Sequence, residues 1–208
     1  MTEYLVPTEA AAAEFTEKKS KFIGHIVPTE TEAEALAALK QMRETHWDAT
    51  HNVYAYIIRD GATRFSDDGE PGGTAGMPVL QVLQREALFN VTCVVTRYFG
   101  GILLGAGGLV RAYAKSAKLA VDAAGKSCKR VWTALTLPCP YNWLDRVKLE
   151  VAAFDGVIQS IDYGAQVGFS LLLPQTQLQP FLTRLRDLSA DTLRPLIGEQ
   201  CYRAFPVE

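Results

Sequence analysis

The sequence predicts an α+β chain of two domains, 1–129 and 130–208, and three observations carry that expectation. Residues 64–113 hold two glycine-rich loops, R-F-S-D-D-G-E-P-G-G-T-A-G-M-P and Y-F-G-G-I-L-L-G-A-G-G-L, each leading into a helix-compatible segment, with the β-branched run V-T-C-V-V-T-R-Y between them. The texture then changes after a basic, glycine-containing stretch, G-K-S-C-K-R at 125–130. Beyond it the patterns read β-α-β-β-α-β, the ferredoxin-like order, in about 75 residues.

A chain of 208 residues with 48% hydrophobic content can bury one large core or two small ones. A net charge of −2 supplies no global attraction to nucleic acid or to an anionic membrane, so any polyanion contact must come from a local patch. The start, M-T-E-Y-L-V-P, has no basic region before an apolar run, and no apolar stretch approaches the roughly 20 residues that span a bilayer. A cytoplasmic protein with no membrane partner is expected. Cys93, Cys128, Cys139 and Cys201 are scattered, with no C-x-x-C pair, so neither zinc nor a structural disulfide is expected, nor any cofactor.

In chain order, Lys18, Lys19 and Lys21 form a basic cluster at the start of a short strand, 22–27, that Pro28 ends. A solvated strand entrance and a binding patch both fit it. T-E-T-E signals a helix capped by Thr29 with Glu32 reaching back, running to about Thr45. Residues 52–59 form a strand closed by Asp60-Gly61; His51, just before it, is the histidine best placed to act, although a structural role is the plainer expectation.

The first glycine loop concentrates Asp67, Asp68 and Glu70. Three carboxylates so close either hold a hard cation or accept backbone N–H bonds in a tight turn, and the turn is the expected role. Thr74 and Gly76 lie where the loop turns into a helix that Pro78 begins, and backbone N–H groups there are candidates to receive an anion. In the strand 91–98, period two puts Val91, Cys93, Val95 and Arg97 on one face. An arginine ending an apolar row needs a carboxylate, carbonyls or a bound anion. Tyr98 follows as an exposed aromatic candidate.

The second loop, with Gly100, Gly101, Gly105 and Gly108, opens a helix that Gly125 stops, its apolar stripe read as Val110, Tyr113, Ala114, Ala117, Val121 and Ala124. Arg111, Lys115 and Lys118 occupy another face. Between Arg97 and Arg130 seven basic residues face the single acid Asp122, the one strong charge asymmetry of the chain. Strands are expected at 131–137, 156–163, 165–173 and 196–205, with helices at 141–153 and 176–189. This second half has no glycine loop and no cluster of titratable groups, and reads as a scaffold or interaction module.

The runs R-F-S-D-D-G-E-P-G-G-T-A-G and V-V-T-R-Y-F-G-G-I-L-L-G-A-G-G-L-V-R-A-Y resemble the YigZ/IMPACT family over most of residues 14–124. The resemblance implies a first domain similar to the second domain of a ribosomal small-subunit protein and to domain IV of elongation factor G. It implies a second, ferredoxin-like domain similar to domain V of that factor. It also implies a link to translation, since eukaryotic members restrain activation of a kinase that acts on initiation.

Three functional readings follow. The first is a translation-associated protein that meets RNA, the ribosome or a regulatory protein through Lys18, Lys21, the glycine loops, Tyr98 and the basic helix face. An enzyme acting on a phosphorylated small molecule or peptide is the second, with Asp67, Asp68 or Glu70 as base or metal ligand and Arg97 as electrophile. Against it, G-x-x-x-x-G-K-[ST] is absent and no Ser/His/Asp spacing suggests a hydrolase, so a non-enzymatic protein is expected. The third is a protein-interaction module with no nucleic-acid contact.

Overall fold

A computed structural model describes residues 3–207. The chain forms two compact units, one of Glu3–Cys128 with the C-terminal residues from Ala204, the other of Lys129–Arg203. It is a mixed α+β protein.

The first unit contains β1 (Glu3–Pro7), β2 (Ala11–Glu17), β3 (Ser20–Pro28), α1 (Glu32–Thr45), β4 (His51–Ile57), β5 (Thr63–Ser66), α2 (Gly76–Arg85), β6 (Val91–Tyr98) and α3 (Ala106–Ala124). Its antiparallel sheet runs β2-β3-β6-β4-β5. Val91, Cys93 and Val95 of β6 enter a core with Val79 and Leu83 of α2 and Tyr113 and Ala117 of α3. Val94 enters a smaller core with Ala35 and Leu39 of α1. A central strand covered on both faces must be apolar almost throughout, which is why β6 reads as a continuous β-branched run. Each fully buried aliphatic side chain here contributes about 1.5–3 kcal/mol relative to exposure.

Several local expectations shift. The cap of α1 is Thr31, whose hydroxyl accepts from Glu34 N at 3.2 Å, while the Glu34 carboxylate accepts from Glu30 N at 2.7 Å. The box sits two residues later because the buried Thr29 hydroxyl is committed to Thr92, at 2.8 Å. Helix α2 begins at Gly76 rather than Pro78 and ends at Arg85. The inward stripe of α3 is Leu109, Ala112, Tyr113, Ser116, Ala117, Ala120, Val121 and Ala124; Val110 faces solvent. The stretch 126–130, after which the sequence changes texture, is the start of β7 (Lys126–Cys139).

The second unit continues β7 into α4 (Leu144–Ala153), β8 (Val157–Tyr163), β9 (Val167–Pro174), α5 (Leu178–Ser189) and β10 (Leu196–Pro206). Strands β7, β9 and β8 are neighbours in that order, and β10 pairs with β7. Leu135, Leu137, Phe169 and Leu171 meet Val147, Val151, Phe181 and Leu185 in its core. The buried Glu150 is held by Arg146 at 2.7 Å and Arg184 at 3.1 Å, so its charge is spent on structure. Among the described residues, no helix is long and apolar enough to cross a membrane.

Candidate functional site

The first glycine loop uses its acids one at a time. Asp67 accepts backbone N–H bonds from Gly73 (2.8 Å), Ala75 (3.0 Å) and Gly76 (2.8 Å). Burial pushes this carboxyl up, yet these three donors together hold it below the ordinary carboxylate range. The N–H groups at the start of α2, expected to receive an anion, are therefore filled by the chain's own carboxylate. Thr74 is likewise committed, its hydroxyl donating to Pro71 O at 2.6 Å.

Asp68 turns the other way. Its carboxylate accepts from Asn52 N at 2.7 Å and from Arg43 at 3.1 Å, and its backbone sits at φ 45°. The three carboxylates thus diverge to separate partners. Among the described residues, no three His, Cys, Asp or Glu side chains group as metal ligands.

Glu70 points into the core and meets Arg97 at 2.5 Å, with 4% and 5% of the two side chains exposed. Tyr113 donates to the same Glu70 oxygen at 2.7 Å, and His51 Nε2 stands 3.8 Å from it. The Arg97 guanidinium also donates to Ser20 Oγ at 3.4 Å and lies 5.4 Å from the ring centres of Phe22 and Phe99. One buried pair therefore ties β3, β6, α3 and the acid loop together. Burial and the Glu70 hydrogen bond push the Tyr113 hydroxyl far up, so it is always protonated and always a donor.

Ser20 begins β3 after a tight hairpin whose tip residues, Lys18 and Lys19, have φ of 45° and 66°. Left-handed backbone at two successive positions favours Asn and Gly, so two lysines there carry a conformational cost of about 1 kcal/mol each. The loop after β6 runs against this tip. A Cβ on Gly100 would stand 2.0 Å from Lys19 C, a distance no side chain can occupy, and Gly100 N donates to Ser20 Oγ at 3.1 Å. Gly101 is exposed in the same loop.

Beside the tip lies a groove of 260 Å³ lined by Phe15, Glu17, Lys18, Leu104, Gly108, Arg111, Ala112 and Lys115. The Lys115 ammonium sits 4.4 Å from the Phe15 ring centre, a cation–π contact that fixes its position. Lys18, Arg111 and Lys115 have no carboxylate partner among the described residues. Lys21 does, pairing with Glu14 at 2.7 Å. Lys118 departs further from the expected basic face. Hydrogen bonding to Asp122 first, then to Glu86, pushes its pKa up, and Glu86 also binds Lys126.

Tyr98 is not the exposed platform expected of it. Its hydroxyl donates to Asp48 at 3.2 Å and lies 3.0 Å from His46 Nδ1, which leaves the ring half-buried. A second cleft, of 390 Å³, includes Thr50, His51, Glu70, Arg97, Phe99, Leu103, Gly105 and Ala106 in its wall. The sequence pattern pointed to His51 only weakly and to Phe99 and Leu103 not at all. The available signal was a run of apolar residues, F-G-G-I-L-L, in a glycine-rich loop with no strand or helix pattern to bury them.

Residues 18–121 match the family model described as the Impact N-terminal domain, and residues 137–192 match one described as a domain of unknown function (DUF1949). "IMPACT family member YvyE" of Bacillus subtilis (strain 168) is 36% identical over 201 residues, spanning 96% of this chain and 93% of that one. "IMPACT family member YigZ" of Escherichia coli (strain K12) is 36% identical over 204 residues, 96% and 100% of the two chains. "Protein IMPACT" of Rattus norvegicus is 35% identical over 105 residues, 48% of this chain and 33% of its own. A solved structure described as "Crystal structure of an hypothetical protein" superposes with a TM-score of 0.60 at 36% identity, covering 96% of this chain and 98% of that one.

Proposed function

Because the chain belongs to the IMPACT family, we propose that it is a translation-associated protein that binds structured RNA or the ribosome. The contact surface is the groove between the hairpin tip and α3. One observation carries the reading: Lys18, Arg111 and Lys115, from elements distant in sequence, line a single concavity without a carboxylate partner among the described residues. Three cations against the one carboxylate of Glu17 in the same groove leave a local positive excess that suits phosphates, whose contacts release counterions and so supply affinity independent of sequence. The glycines act by position, Gly100 letting the loop approach the tip and Gly108 leaving room for Leu104, whose Cβ would stand 2.9 Å from an added methyl.

A chain with a net charge of −2 needs such a local patch if it binds polyanions at all. Lys118 is outside this surface because its charge is already matched. Cosedimentation with ribosomes and gel-shift with structured RNA test the proposal, comparing the wild type with Lys18→Glu/Arg111→Glu. Loss of binding in that variant, with an unchanged melting temperature, is expected; equal binding by the two proteins refutes the assignment.

A further inference from the structure

We propose that the outer edge of β10 is an interface with a second copy of this chain, in which the two β10 strands pair antiparallel about a two-fold axis at Cys201. The open edge, the charges along it and the register they select all point to that occupant.

Strand β10 runs 11 residues and, among the described residues, is paired with β7 alone. Backbone groups of a strand alternate between its two sides. Val207 N donates to Lys126 O, and Arg203 O accepts from the Trp132 indole, so the odd-numbered groups of β10 face β7. The even-numbered groups face away from it, and no strand of the described residues lies beyond them. Edge strands are normally short, bulged or interrupted by Pro or Lys, because an open edge templates further pairing. Strand β5 stops after four residues, and β8 carries a register shift between Ile158 and Ser160. Strand β10 is longer than either and contains neither Pro nor Lys before Pro206. Its side chains are exposed from Leu196 to Gln200 and from Tyr202 to Ala204.

Glu199 and Arg203 are both exposed and share a face of the strand. Four residues of extended chain hold them about 13 Å apart, too far to pair within one strand. Neither has an opposite charge beside it among the described residues. An antiparallel second copy centred on Cys201 sets each Glu199 opposite the other copy's Arg203, so symmetry matches both charges twice. Opposite charges placed across a strand pair stabilise it, and like charges there destabilise it. Moving the centre by one residue leaves both charges facing uncharged side chains. Moving it by two sets Glu199 against Glu199 or Arg203 against Arg203. The charges therefore select one register, and in it the two Cys201 residues occupy a non-hydrogen-bonded position, with Cα atoms about 4.5 Å apart. Leu196 and Ile197, 68% and 57% exposed, lie against the far end of the other strand and are covered there. One strand pair buries less than a standard interface, so a dissociation constant of about 1–100 µM is expected.

The test is sedimentation velocity of the full chain under reducing conditions, at concentrations reaching several hundred micromolar. Wild type should pass from monomer to dimer as concentration rises. Glu199→Arg, which sets arginine against the second copy's Arg203, should weaken the dimer about tenfold, and Glu199→Arg/Arg203→Glu, which exchanges the charges, should restore it. Diamide, which accepts two electrons and two protons from a pair of thiols, should join wild-type chains through a Cys201–Cys201 disulfide. On a non-reducing gel Cys201→Ser should then remain monomeric, while Cys128→Ser should still cross-link. All these side chains are exposed or half-buried, so the variants should keep the wild-type melting temperature. A wild type that stays monomeric at the highest concentration overturns the interface. So does a Glu199→Arg dimer as tight as the wild type, a charge exchange that fails to restore association, or cross-linking that survives Cys201→Ser. No RNA is present in these measurements, so either result is independent of the RNA proposal.

Discussion

Arg97 and Glu70 form a buried ion pair at 2.5 Å that Tyr113 completes by donating to the same carboxylate oxygen. The pair fastens the acid loop to the central strand, and the candidate groove is built around the strands and helix it joins. Arg97→Ala should lower stability by about 3–5 kcal/mol, because it leaves Glu70 charged and buried. Urea unfolding measures this. Glu70→Gln/Arg97→Met, which removes both charges, should recover much of the loss, whereas equal destabilisation by the single and double variants would deny the pair its role.

Asp67 organises the turn into α2 through three backbone N–H bonds. Asp67→Ala should cost about 1–2 kcal/mol, the scale of a lost helix cap, and Asp67→Asn less, since its carbonyl oxygen can still accept from Ala75 and Gly76. A carboxyl held low in the fold contributes stability that is present above its unfolded pKa and is lost as pH falls through the folded value. Acid unfolding of Asp67→Asn should accordingly be shallower than that of the wild type. Millimolar magnesium should leave the melting temperature unchanged in both, since the loop's carboxylates diverge.

His25 carries a different pH signature. Its pKa is pushed down to about 4, first by burial and then by His46 beside it, with ring centres 5.2 Å apart. The neutral ring is favoured in the fold, so stability is complete above the unfolded value near 6.5 and declines as pH drops from there toward 4. After solvent screening the effect is on the order of 2 kcal/mol. Melting temperature followed between pH 7 and 4 in wild type and His25→Gln checks it, the variant being less stable at pH 7 but flatter across that window.

Gly100 ties the loop after β6 to the hairpin tip. Gly100→Ala should displace the tip, because the added methyl would stand 2.0 Å from Lys19 backbone. Amide shifts of Lys18–Ser20 should move together while those of the second unit stay in place. Unmoved tip resonances would show that the two loops do not depend on one another.

Strong local patterns made most elements readable in the sequence. The β-branched run of β6 and the alternation within β7 meet the cores their periods imply, and Gly125 ends α3 as expected. Strand β2 escaped because A-A-A-E-F-T-E pairs with β3 through its backbone and carries little strand propensity. Charge was harder to read. The basic excess from Arg97 to Arg130 looks uniform along the chain, but Glu86, from outside that window, binds Lys118 and Lys126. Pairing across elements also ties the Tyr98 hydroxyl to Asp48 and His46. Nothing in linear spacing records those partners, nor that Lys18 would lie beside Arg111.

The most direct measurement of the central proposal is the salt dependence of binding to a structured ribosomal RNA fragment. Wild type, Lys18→Ala/Arg111→Ala/Lys115→Ala and Lys118→Ala should be compared over a range of potassium concentrations. Each lost phosphate contact flattens the slope of log affinity against log salt by about 0.7–0.9, so the triple variant should lose about 2–3 units of slope. Lys118→Ala, whose charge is already matched by Asp122 and Glu86, should keep the wild-type slope. A triple variant with the wild-type slope, or a wild type that binds neither the fragment nor ribosomes at low salt, would contradict the assignment of this groove to RNA.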